Sequence, residues 1–232
     1  MRLVIAALAP IVWLFCRVFF RVRFHGVENI PPEGACIIAP NHVTYADPIW
    51  ITIPVRRRIY YMAWDKPFQI PLLGFLMRLF GAFPLNLDNI DPSAHRAARE
   101  LLLKGRALVV FPEGGRARTE KLEPFKLGAF RLALAHGVKV VPVSIRGAHD
   151  IWPVGRMFPG TGRLTITYHP PIEVERVSDD ITKAELRILA RELAHKTRRI
   201  IATALDAECL PEEEEEESER QKVKGENVSE TV

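Results

Sequence analysis

Four short runs constrain this chain most: ACIIAP near 35–40, RIYYMA near 58–63, ALVVFP near 107–112 and VKVVPVSI near 138–145. Three of them are nearly all apolar, and continuous apolar runs of this length suit parallel strands buried on both faces. The segments between them carry helical patterns, two with legible ends. In DPSAHRAARELLLKG, Asp91 can cap, Pro92 can take the first helical position and Gly105 closes the helix; KLGAFRLALAHG closes at Gly137. Strand and helix therefore alternate. This predicts an α/β fold, a single domain with a mostly parallel sheet flanked by helices and joined by right-handed crossovers. A further strand is expected at RLTITYH, 163–169, stopped by Pro170 and Pro171 and lying at an edge. Residues 180–206 read as a long amphipathic helix with Ile181, Leu186, Leu189, Leu193 and Ile200 toward the core.

A length of 232 residues suits one sizeable core, and the two ends differ from it. From Leu3 to Phe20 the only charge is Arg17. This stretch is near the lower limit for a membrane span. A cleaved signal peptide does not fit, because the small-residue trio Ala7 to Ala9 leaves no apolar region before it. A spanning helix fits, with Arg17, Arg21 and Arg23 placing its C-terminal end on the cytoplasmic face of the cell membrane. So does a monotopic anchor bent at Pro10, and a buried core helix is the third reading. From Pro211 onward, nine Glu face three Lys or Arg with too little apolar content to fold. The organisation expected is an N-terminal apolar membrane-anchoring helix over 1–24, one folded domain over 25–210 and a disordered acidic tail over 211–232.

Removing that tail's net −6 from the formal +4 leaves residues 1–210 at +10. Such a charge suits nucleic acid, anionic headgroups or an acidic small substrate. Aromatic stacking motifs are not evident, so no nucleic-acid partner is expected. The cysteines Cys16, Cys36 and Cys209 are widely spaced and odd in number, which argues for a reducing compartment and against structural zinc.

Two polar motifs leave these strands. In NHVTYADP, 41–48, His42 precedes Asp47 by five residues, and within one helix that spacing would hold the side chains about 140° apart. With His42 in a loop, and Asp47 as the capping residue of a helix whose first position is Pro48, the imidazole can fold back onto the carboxylate. That arrangement makes a base. The second motif, FPEGGRAR at 111–118, follows another apolar strand, and ligands gather at the carboxyl ends of strands in such sheets. Gly114 and Gly115 allow a tight turn, while Arg116 and Arg118 bring forked donors suited to phosphate.

On these residues the chain resembles the glycerolipid acyltransferase family, typified by bacterial 1-acylglycerol-3-phosphate acyltransferase. His42 and Asp47 match its His-x4-Asp motif, and Phe111 to Arg116 match Phe-Pro-Glu-Gly-Thr-Arg with Gly115 in place of Thr. VVPVSI, containing Pro142, matches a third block. IPLLGFLMRLFGAFP resembles the segment before the family's Gly-x5-Arg block, but Leu87 stands where that Arg would be. The likeness runs from about Gly26 to Pro171.

The resemblance implies an O-acyltransferase that moves an acyl chain from a thioester, acyl-CoA or acyl carrier protein, to the free hydroxyl of a lysophospholipid acceptor. Lysophosphatidate converted to phosphatidate is the leading reading. His42 would be the base and Asp47 its partner, while Glu113, Gly114, Gly115, Arg116 and Arg118 would bind the acceptor. No metal or other cofactor is implied beyond the thioester co-substrate. Leu87 leaves a different lyso-lipid acceptor open, and a non-catalytic lipid-binding protein of the same fold is the remaining alternative. Arg56, Arg57 and Arg58 read as a solvated or headgroup-facing patch. Residues 68–83 are either core or bilayer-facing, because Ile70, Leu72, Leu73, Phe75, Leu76 and Met77 are too dense for one buried stripe.

Overall fold

A computed structural model of the chain describes Leu14 and residues 16–85, 92–117, 119 and 121–209. The strands are β1 (Arg23–His25), β2 (Cys36–Pro40), β3 (Ile59–Trp64), β4 (Ala82–Leu85), β5 (Ala107–Val109), β6 (Lys139–Arg146) and β7 (Thr165–Tyr168). The helices are α1 (Asp47–Thr52), α2 (Pro71–Leu79), α3 (Pro92–Leu103), α4 (Gly128–His136), α5 (Ala148–Ile151) and α6 (Lys183–Leu205). The strands form one sheet in the order β1-β7-β6-β2-β5-β3-β4. From β6 to β4 every neighbouring pair is parallel, whereas β7 runs antiparallel to β6 and carries β1 with it. The mostly parallel α/β domain expected from the apolar runs is the one observed.

Period-two alternation sends successive residues of each strand to opposite faces. Cys36 and Ile38 of β2 join one apolar layer with Trp50, Ile51 and Ile151, while Ile37 and Ala39 join the other with Ala98, Phe130 and Ile201. Helices cover both faces, so β2 can be apolar throughout. Burying Ile37, Ile38 or Leu108 contributes about 1.5–3 kcal/mol each relative to exposure.

Several expectations change. Residues 163–169 do not form an edge strand, because β1 pairs with β7 through Arg23↔Thr165 and takes the edge itself. Neither β1 nor β4, at the opposite edge, is announced by the sequence pattern. In α6 the buried residues are Ala190, Leu193, Ala194, Thr197, Arg198, Ile201 and Ala202, while Leu189 is exposed. Small residues there let the helix lie close to α4 and β6. Arg57 is not part of a solvated patch: it donates to the carbonyls of Pro31 at 2.6 Å, Gly34 at 2.7 Å and Gly105 at 3.0 Å, tying three loops together.

Gly105 and Gly137 close α3 and α4 in left-handed conformation, whereas Asp91, the cap expected for α3, lies outside the described residues. So do Leu87 and the tail from 211 onward. The anchoring segment expected over 1–24 falls largely outside them too, and among the described residues no helix is long and apolar enough to cross a membrane. Of that segment, Cys16 and Phe20 are buried against the domain, with the Phe20 ring edge-on to Trp50 at 5.5 Å.

Candidate active site

The strand register brings the two polar motifs together. β2 and β5 are parallel neighbours with Ile38 opposite Val109, so the loops that follow them leave the same edge of the sheet side by side. Three contacts then join the loops. The His42 carbonyl accepts from Ala117 N–H at 2.7 Å, and the His42 N–H donates to Glu113 Oε1 at 2.7 Å. The Phe111 ring stacks on the imidazole with centroids 3.9 Å apart.

His42 Nδ1 lies 2.9 Å from Asp47 Oδ2. Asp47 is fully buried, and a carboxylate can only accept, so Nδ1 carries the proton and Nε2 is left as the basic nitrogen. The same oxygen accepts from the N–H groups of Val43 at 2.6 Å and Thr44 at 2.8 Å, while Oδ1 accepts from Thr44 Oγ1 at 2.7 Å. Charge-assisted bonds of this kind offset the cost of burying the charge. Asp47 does not serve as the helix cap expected of it. It is the first residue of α1, after Ala46, and its side chain turns back onto the preceding loop.

One residue before His42, Asn41 extends the β2–β6 pairing with its side chain. Its Oδ1 accepts from Ile145 N–H at 2.7 Å and its Nδ2 donates to the Ile145 carbonyl at 3.2 Å. Both bonds span 104 residues and hold the point from which His42 departs. The sequence pattern assigns no role in the site to Asn41, Thr44 or the Phe111 ring. The only available signal was their place within or beside a motif at the end of an apolar strand.

Glu113 is 7% exposed, and both its oxygens are taken by main chain, Oε1 by His42 N–H and Oε2 by Glu123 N–H at 3.2 Å. Burial pushes its carboxyl up to about 8, against the opposing pull of those two donors; the Glu123 and Asp47 charges add to the rise. Through these two contacts Glu113 braces the two loops against each other. Gly114 makes this turn possible. Its φ is +72°, and a Cβ there would lie 2.6 Å from Lys126 Cε and Nζ. A Cβ on Gly115 would meet nothing within 4 Å. Arg116 lies over the Tyr45 ring, with Cζ 3.6 Å from its centroid. Arg118 lies outside the described residues.

Among the described residues, no cluster of His, Cys, Asp or Glu could hold a metal ion. The arrangement is an imidazole base of fixed tautomer beside a glycine turn carrying a guanidinium, at the mouth of an α/β sheet. An imidazole held in this way can take a proton from a hydroxyl.

Residues 21–146, more than half of the chain, match the Acyltransferase family model, and the chain belongs to that family. It is 31% identical over 160 residues to the chloroplastic 1-acyl-sn-glycerol-3-phosphate acyltransferase BAT2 of Brassica napus, covering 66% of this chain and 46% of that one. It is 30% identical over 140 residues to the 1-acyl-sn-glycerol-3-phosphate acyltransferase of Bacillus subtilis, covering 59% and 69%. The crystal structure of the 1-acyl-sn-glycerophosphate acyltransferase PlsC from Thermotoga maritima superimposes with a TM-score of 0.61 at 28% identity, over 77% of this chain and 70% of that one. The chain spans about half the length of the plant relatives it matches, 46% and 44%.

Proposed function

We propose that this protein is a membrane-associated O-acyltransferase that transfers an acyl group from a thioester, acyl-CoA or acyl carrier protein, to the free hydroxyl of lysophosphatidate, forming phosphatidate. The observation that carries the reading is the 2.9 Å contact of His42 Nδ1 with a buried Asp47, which leaves Nε2 available as base. The acceptor hydroxyl gives its proton to Nε2 as its oxygen attacks the thioester carbonyl. Asp47 stabilises the imidazolium that forms. Collapse of the tetrahedral intermediate breaks the C–S bond, the proton passes from Nε2 to the departing sulfur, and the products are an ester and a free thiol. No acyl-enzyme is needed. Gly114 and Gly115 form the turn that presents Arg116, with Arg118 close by in sequence, to the acceptor's phosphate.

The test is the purified chain with a panel of labelled lyso-lipids and both donors, resolved by product. Lysophosphatidate should be the preferred acceptor. A general base is worth ~10²- to 10⁴-fold, and His42→Ala should lower turnover by that factor. Undiminished product from His42→Ala would refute the assignment. Leu87 in place of the family Arg favours a second reading, a lyso-lipid acceptor without phosphate, and the same panel decides between the two.

The membrane part of the proposal assigns the N-terminal apolar segment as anchor on the cytoplasmic face and α2 as a second contact with lipid. Ile70, Leu72, Leu73, Phe75, Leu76 and Phe80 are all exposed, Leu72 to 72% and Phe75 to 62%. Within α2 only Gly74 is buried. Arg78 and Lys66 flank this surface with positive charge suited to anionic headgroups. The double change Leu72→Asp/Phe75→Asp should weaken sedimentation with phosphatidylglycerol vesicles at least tenfold at unchanged melting temperature. Equal sedimentation would exclude α2 as a lipid contact.

A further inference from the structure

The function proposed above leaves unexplained an aromatic arrangement on the rim of the site. Tyr45 lies inside the His-x4-Asp loop, three residues after His42, yet it is 62% exposed and joins neither apolar layer. Its ring sits under the Arg116 guanidinium, with Cζ 3.6 Å from the centroid, well inside the ~6 Å reach of a cation–π contact. Trp152 meets the Tyr45 ring edge-on with centroids 6.2 Å apart, and its own Nε1–H donates to the Arg156 carbonyl at 2.8 Å. The ring is therefore held between a tethered indole and a cation.

Arg116 has no carboxylate partner among the described residues. An ion pair would occupy some of its donors and cancel its charge. An aromatic ring fixes the guanidinium while leaving all five N–H donors available. The loop bearing Arg116 is bound to His42 through the 2.7 Å contact from Ala117 N–H to the His42 carbonyl, so the stacked residue is one position from a direct contact with His42.

We propose that Tyr45 is a positioning residue: its ring is the shelf that aims Arg116 at the phosphate of the acceptor. This rests on the reading that Arg116 contacts that phosphate, and the experiment separates the two claims. Equilibrium binding of labelled lysophosphatidate and monoacylglycerol is measured on the full chain without thioester donor, for wild type, Tyr45→Ala, Tyr45→Phe, Arg116→Ala and the Tyr45→Ala/Arg116→Ala double variant. Tyr45→Ala should weaken lysophosphatidate binding roughly three- to tenfold, the size of a partly exposed cation–π contact. Tyr45→Phe, which keeps the ring, should restore it, and monoacylglycerol binding should not change. The double variant should bind lysophosphatidate no more weakly than Arg116→Ala alone, because the ring acts only through the cation.

If Arg116→Ala weakens binding and Tyr45→Ala does not, the shelf is refuted and the phosphate reading stands. Additive losses in the double variant, or a Tyr45→Phe variant as weak as Tyr45→Ala, also refute it. A wild-type chain that binds lysophosphatidate and monoacylglycerol alike, or an Arg116→Ala variant that binds as wild type does, overturns the phosphate reading and the shelf with it.

Discussion

Between Pro40 and Pro48, the Asp47 carboxylate receives three N–H groups and a hydroxyl, and the loop start is pinned to Ile145 by Asn41. In the neighbouring loop Glu113 is braced by two N–H groups, but beyond it Gly115 faces open space and Arg116 rests on a ring. The first loop is closed around its own chemistry. The second is anchored at Glu113 and again at Ala117, and is open only around Gly115 between them. On the function proposed above, His42 must be oriented before substrate arrives, because disorder in the imidazole would cost rate directly. A binding turn can keep some freedom, since the ligand itself completes its hydrogen bonds.

Asp47→Asn attacks the closed loop and should have a larger effect than any change in the neighbouring one. An amide would turn an N–H₂ toward groups that are themselves donors and would favour the wrong imidazole tautomer. Turnover should fall at least 100-fold, and the lost bonds should cost about 1–3 kcal/mol by urea denaturation. A variant with normal turnover and an unchanged urea midpoint would mean that the loop is not closed in the way described.

Glu113 sharpens the contrast through pH. Its folded-state pKa is raised from an ordinary 4.5 to about 8, chiefly by burial, so between those values the native protein holds a proton that the unfolded chain has released. The associated stability is fully present below the lower value and is lost as pH rises through the upper one. His136 and His169 have their pKa lowered, by burial in both and in His136 also by Arg99 and Arg176, and act in the opposite sense, so the informative quantity is the difference between two profiles. Wild type minus Glu113→Gln should slope downward with rising pH by up to about 1.4 kcal/mol per unit. Parallel profiles would show that Glu113 does not titrate in that window. Turnover of the same variant should drop about tenfold, because one main-chain donor then faces an amide N–H₂.

Gly115→Thr probes the open stretch between these anchors and should have the smallest effect. Its Cβ meets nothing, so the change removes freedom only from the unfolded chain and should stabilise by about 0.4–1 kcal/mol. Acceptor KM should move less than threefold. A larger destabilisation would show that this stretch of the loop is packed after all.

The elements legible in the sequence were those whose signal is local. An apolar run that must be buried on both faces and a glycine that closes a helix, such as Gly137, are each complete within a few residues. The pairing of His42 with Asp47 was equally local. Tertiary structure decided what depends on register between distant segments. β1 and β4, three and four residues long, have too few residues to show a period and exist because β7 and β3 offer edges to pair with. Glu113 was visible as a motif residue, but its contact with the other loop exists only because β5 pairs beside β2 and brings its carboxyl group under an N–H 71 residues away. Asn41 on Ile145 and Tyr45 under Arg116 belong to the same class. The reason is geometric: a hydrogen bond or a ring contact is specified to a fraction of an ångström, and only the packed sheet sets positions of distant residues that closely.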